Sequence, residues 1–150
     1  MNSIDGPTLT TGETPGHDHR HPQRELVVTG LLATLGAVVL TTAIAALARA
    51  AGVDFEVPDG EEKIPLSGFA VVTAFASLLG VVLAVALRRW SARPSTWFLR
   101  TTVVLTLVSL VPATLSGADI ATILTLVGLH LVAAAVVIPA LTWRLMDAER

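Results

Sequence analysis

The chain has 150 residues, 53% of them hydrophobic and only 15% charged, with a mean hydropathy of +0.70. About a quarter of the residues in a soluble domain are charged, so this composition points into a membrane. The formal net charge of −2 leaves no electrostatic footprint for a nucleic-acid partner, and the absence of cysteine excludes disulfides, thiolate metal sites, iron–sulfur clusters and cysteine nucleophiles.

Residues 1–25 are polar and carry Gly6, Pro7, Gly12, Pro15, Gly16 and Pro22. They hold too little apolar surface to repay ordering and read as a disordered tail. No short apolar stretch near Met1 is followed by a small-residue cleavage site, so the first apolar run reads as a retained anchor. The tail segment "HDHRH" carries His17, His19 and His21. It could hold metal ions loosely, but an incidental cluster in a disordered tail explains it as simply.

A helix rises about 1.5 Å per residue, so about 20 apolar residues cross a hydrocarbon core of about 30 Å. Four stretches qualify: 26–47, 66–87, 97–115 and 120–143. Backbone amides in lipid must pair within their own segment, and these runs lack the alternation of a barrel strand. The expected fold is an all-α integral membrane four-helix bundle over 26–143, with 144–150 as a short C-terminal tail. Pro65 and Pro94 mark the starts of the second and third helices. Ser95 or Thr96 is placed to cap the third and Asp119 to cap the fourth. The short link Ser116-Gly117-Ala118 makes the last two helices an antiparallel hairpin.

Eight basic residues fall on one side of this arrangement: Arg20, Arg24, Arg88, Arg89, Arg93, Arg100, Arg144 and Arg150. Only Arg49 and Lys63 fall on the other. The positive-inside rule then places both termini in the cytoplasm and loop 50–65 outside a plasma membrane. Trp90, Trp97 and Trp143 all fall at the same boundary, where an apolar ring with a polar N–H is favoured.

Small residues at four-residue spacing offer packing faces: Ala33, Ala37, Thr41 and Ala45 in the first helix, then Ala76, Gly80 and Ala84 in the second. Gly128 and Ala133 to Ala135 do so in the fourth. Pro112 and Pro139 each remove a donor and free a carbonyl, at Val108 and Ala135. Such prolines open cavities in transporters, and they also sit in plain bundles.

His130 lies ten residues past Ile120, about 15 Å into the membrane. An ionisable residue at that depth is a candidate site. It could pin a neighbouring helix by a hydrogen bond, contact a ligand, or move a proton. Candidate acceptors for a neutral ring are the hydroxyls of Thr34, Thr41, Ser77, Thr106 and Ser109, or a carbonyl freed by a proline; Ser109 and Ser77 join His130 as candidates for a ligand or helix-to-helix contact. A haem or metal site is not expected, because the spans hold no second histidine and no acid. In the loop "VDFEVPDGEEKIPL", the carboxylates of Asp54, Glu56, Asp59, Glu61 and Glu62 could take a divalent cation. Without the spacing of a calcium loop, they read as readily as a solvated cap, and Pro58-Asp59-Gly60 as a turn. No phosphate loop, nucleophile elbow or zinc-protease helix is present.

The loop motif "VPDGEEKIPL", the proline-bearing third helix and "LHLVAAAVVIPAL" in the fourth resemble a known family. It comprises small uncharacterised four-helix membrane proteins of GC-rich Gram-positive bacteria, classed as a domain of unknown function. The resemblance spans about residues 25–143. It implies integral membrane placement and four helices, and carries over no functional residue. The expected function is a structural or interaction module without enzymatic activity or cofactor. Its partners would be the bilayer and a second copy or another membrane protein. The alternative is a small transporter or channel with a path near His130.

Overall fold

The computed structural model describes residues 22–55 and 63–150. Four helices account for nearly all of it: α1 (Pro22–Ala50), α2 (Leu66–Trp90), α3 (Pro94–Thr114) and α4 (Ile120–Asp147). No strand occurs among the described residues. Each helix is long and apolar enough to cross a membrane. The helices overrun the apolar runs chiefly at the end that holds the termini: α1 starts at Pro22, α2 continues to Trp90, α3 starts at Pro94 and α4 continues to Asp147. Beyond the hydrocarbon a helix tolerates charge, so hydropathy alone under-reads its length.

Successive helices run antiparallel. The start of α1, the end of α2, the start of α3 and the end of α4 share one end of the bundle. α1 packs on α2 and α4, while α3 packs on α4 along their hairpin and on α2 more briefly. α2 and α4 touch across the diagonal, and α1 does not reach α3.

Two clusters make the core. Toward the termini, Leu26 and Ala37 of α1 meet Val81 and Ala84 of α2, Phe98 of α3, and Val137, Leu141 and Leu145 of α4. At the other end Ala45, Phe55, Phe69 and Leu129 pack together. Elsewhere large apolar side chains face outward, Leu32, Leu47, Val72 and Leu107 among them. Outward Leu and Val suit a solvent of lipid tails.

The buried stripe of α1 reads Leu26, Gly30, Thr34, Ala37, Thr41 and Ala45. Ala33, expected on that face, is only half-buried, and on α2 and α4 Ala76 and Gly128 face outward. In lipid a small residue faces either way without a transfer penalty, so spacing of small residues does not by itself select the contact face. Shape does: a Cβ on Gly30 would stand 2.6 Å from Val81 Cγ2 and 3.1 Å from Leu141 Cδ2. Only a residue without a side chain lets α1 lie against both neighbours there.

Hydroxyls inside the helices mostly satisfy themselves. Thr34, Thr41, Thr102, Thr125 and Thr142 each donate to the carbonyl four residues back. Thr41 also meets the Thr73 hydroxyl at 3.2 Å, a polar link between α1 and α2.

The ends are fastened by different means. Pro94 opens α3 and Arg93 precedes it as the cap residue, with no side-chain cap bond from the chain's own turn. Ser95 and Thr96 therefore lie inside the first turn instead of capping it. Glu149, past the end of α4, supplies the cap from outside: its carboxylate accepts from the Ser95 N–H at 2.9 Å and the Ser95 hydroxyl at 2.8 Å. Asp119 does cap α4, accepting from the Ala121 and Thr122 N–H groups at 2.9 and 3.2 Å. Gly117, at φ 70°, makes the turn between α3 and α4 in a conformation that favours glycine.

The long loop is closed at its base. Lys63 pairs with Asp54 at 2.9 Å, the Ile64 N–H donates to the Phe55 carbonyl, and Arg49 donates to the Ile64 carbonyl at 2.6 Å. Phe55 turns fully inward at φ 52° and meets Phe69 edge-on, with ring centroids 5.0 Å apart.

Candidate functional site

One polar side-chain contact joins α3 and α4 within the spans. His130 Nε2 of α4 lies 2.6 Å from Ser109 Oγ of α3. The Ser109 hydroxyl also lies 2.8 Å from the Thr106 carbonyl. A serine has one hydroxyl hydrogen and two lone pairs. With that hydrogen on Thr106 the oxygen accepts from His130 Nε2–H; with it on Nε2 the ring proton sits on Nδ1. In either tautomer no hydrogen bond reaches Nδ1 among the described residues.

The pair does not face the interior of the bundle. Ser109 is exposed and His130 half-buried. The reason lies in α3. Its buried residues are Pro94, Ser95, Phe98 and Thr102, all in its first nine positions. Phe98, Thr102 and Ser109 share one helical row, at spacings of four and seven. Along that row the surroundings change from buried at Phe98 and Thr102 to exposed at Ser109. Toward the hairpin turn no residue of α3 is buried.

The other expected candidates lie elsewhere. Ser77 is buried on α2, and no hydrogen bond joins it to His130 among the described residues. Thr34 and Thr41 are turned to their own helix carbonyls. Of the loop carboxylates, Asp54 is engaged by Lys63, and Glu56, Asp59, Glu61 and Glu62 lie outside the described residues, as do His17, His19 and His21. Among the described residues no three histidine or carboxylate side chains converge as metal ligands would. α3 continues through Pro112 and α4 through Pro139.

The termini end carries a second polar group that sequence spacing does not announce. Arg144 reaches Glu25 at 3.6 Å and donates to the Thr29 hydroxyl at 3.0 Å, tying α4 to α1. A cavity of about 100 Å³ opens there among Glu25, Leu26, Arg88, Arg144 and Asp147. A shallower groove of about 530 Å³ runs past Thr29, Pro139, Ala140 and Trp143. At the opposite end the Asp119 carboxyl is held below the usual carboxylate range by the Thr122 hydroxyl beside it and by the Thr122 and Ala121 N–H groups. The Thr122 hydroxyl completes no well-formed hydrogen bond of its own, so the two backbone donors are the secure part of that cap.

Residues 21–147 match the family of unknown function DUF6069. The chain belongs to that family. The match takes in all four helices and both polar groups of this DUF6069 member, so the hairpin pair and the Arg144 link belong to the family domain and not to an appendage. No curated protein and no solved structure matches the chain.

Proposed function

We propose that this chain is a membrane-embedded interaction module, without catalytic activity of its own, that docks a partner helix beside the α3–α4 hairpin. The observation that carries the reading is the outward-facing His130–Ser109 pair, about 15 Å along α4. A ring nitrogen without a partner, facing lipid tails, has no water to satisfy it, and association with another helix supplies one. The uncovered half of α3 supplies the surface for that approach. The partner is taken first as a second copy. The arginine bias supports a plasma-membrane protein with both termini in the cytoplasm and loop 50–65 outside.

Energy transfer between labelled copies in phosphatidylcholine vesicles, read against protein-to-lipid ratio, tests this. His130→Leu is expected to weaken association about threefold to thirtyfold. His130→Gln, which keeps an acceptor, loses less. Melting of the same proteins in one detergent separates docking from folding. Unchanged association with a lower melting temperature in His130→Leu would make the histidine a pin within the hairpin and sink the docking role. A solute flux that His130→Leu abolishes would replace the module with a transporter.

A further inference from the structure

The start of α3 carries a second exposed feature, on the side away from Ser109. Arg93, Thr96, Trp97 and Arg100 fall at positions i, i+3, i+4 and i+7 of one face, and all four are exposed. Trp97 is 54% exposed. Below Arg100 the same face continues as Val103, Val104, Leu107 and Val111, all exposed and uncovered by any other helix. Ser109 stands half a turn round the helix from Arg100.

Neither the Arg93 nor the Arg100 guanidinium makes an ion pair among the described residues. α3 itself contains no acid. The Glu149 carboxylate is hydrogen-bonded to Ser95 and Glu25 pairs with Arg144, so neither is bonded to these two arginines. Arg93 and Arg100 stand seven residues apart, about 10 Å along the axis. An arginine one to two turns inside the boundary lays its stem along apolar surface and returns its head to the interface. Two guanidiniums can then meet at headgroup level, above an apolar stripe and beside a tryptophan ring.

The geometry points to this face as a binding site for an anionic phospholipid. The two cationic side chains attract the phosphodiester charge, Trp97 lies at the glycerol level, and one acyl chain runs along Val103, Val104, Leu107 and Val111. A zwitterionic lipid offers the same phosphate but brings a cation toward two arginines, so the site discriminates by net headgroup charge. A second copy is the less fitting occupant, because the end of the bundle it would present carries the same excess of arginine.

The test places the full chain, as the single-tryptophan variant W90F/W143F, in phosphatidylcholine vesicles with rising fractions of brominated lipid. Quenching of Trp97 by brominated phosphatidylglycerol is expected to exceed quenching by brominated phosphatidylcholine at equal fraction. The excess should fall about tenfold or more, as a relative binding constant, in R93Q/R100Q. It should persist in R93K/R100K, in R24Q, and in the presence of excess inorganic phosphate. Equal quenching by the two brominated lipids overturns the proposal. So does an excess that survives R93Q/R100Q, or one that R93K/R100K also loses. No quenching by either lipid would mean that protein covers the face, and overturns it as well. Loss of the excess to inorganic phosphate would assign the site to the free anion instead.

Discussion

Replacing Gly30 by alanine tests the packing of α1 most directly. The added Cβ would stand 2.6 Å from Val81 Cγ2, 3.2 Å from Val81 Cγ1 and 3.1 Å from Leu141 Cδ2. Carbon atoms rest about 3.5–4.0 Å apart, so the nearest pair must separate by about 1 Å. Valine is stiff at χ1, and both of its methyl groups meet the new carbon, so rotation does not relieve the contact. α1 must move off α2, where Val81 is buried. Overpacking of this kind costs about 1–3 kcal/mol, and the better helix propensity of alanine returns up to about 1 kcal/mol. Gly36→Ala is the control on the same helix, since nothing lies within 4 Å of its Cβ position. Unfolding by a denaturing detergent, followed by circular dichroism, should place Gly30→Ala about 1–2 kcal/mol below wild type and Gly36→Ala level with it or above. Val81→Ala should restore part of the loss, with a coupling of about 0.5–3 kcal/mol. Equal stability of the two alanine variants would refute the close approach, and so would effects of Gly30→Ala and Val81→Ala that simply add.

Phe55→Ala should lower stability by about 3 kcal/mol, because a fully buried ring leaves its contact with Phe69 and a void at the loop base; a melting temperature within error of wild type would show that the ring is not a core residue. Glu149→Ala should bare the first turn of α3, costing about 1 kcal/mol and speeding amide exchange at Ser95, with no change expected at α1. The Asp119 carboxyl, held below its ordinary value, contributes stability that is present above the unfolded value of about 3.9 and lost as pH falls through the folded value. Wild type should therefore exceed Asp119→Asn in stability at neutral pH by a margin that narrows in acid, and a margin constant from pH 6 to pH 3 would contradict the cap.

The spans were legible because a bilayer sets their length: an uncharged run of about 20 residues has few other uses. The faces were less so. In water the buried side of a helix is its apolar side, and periodicity exposes it. In lipid both sides are apolar, so Ala33 and Ala37, or Gly80 and Val81, are equivalent by composition. What separates them is the shape of the neighbour. Gly30 is buried because Val81 and Leu141 fill the space its side chain would take, and that fact belongs to three helices at once. Glu149 was illegible for the same reason. Its partner Ser95 is 54 positions away, and nothing local to either residue joins them.

His130 stood out in the sequence because the spans hold no other histidine and no acid, yet its partner did not, because hydroxyls are many. Counting equal heights from the helix ends at Thr114 and Ile120 pairs Ser109 with Thr125, five residues short of His130. Helical side chains lean toward their own N-terminus, and the imidazole is long enough to use that lean. Thr125 meanwhile donates to the Ala121 carbonyl and leaves Ser109 free. The competing hydroxyls at Thr34 and Thr41 are spent in the same way on their own helices. Ser109 differs because its hydroxyl reaches the Thr106 carbonyl three residues back, while its oxygen still faces α4. In either tautomer of the ring, Nδ1 has no hydrogen-bond partner among the described residues. A polar group on a second helix is the simplest partner for it, which is why substitution at position 130 should register in association before it registers in folding.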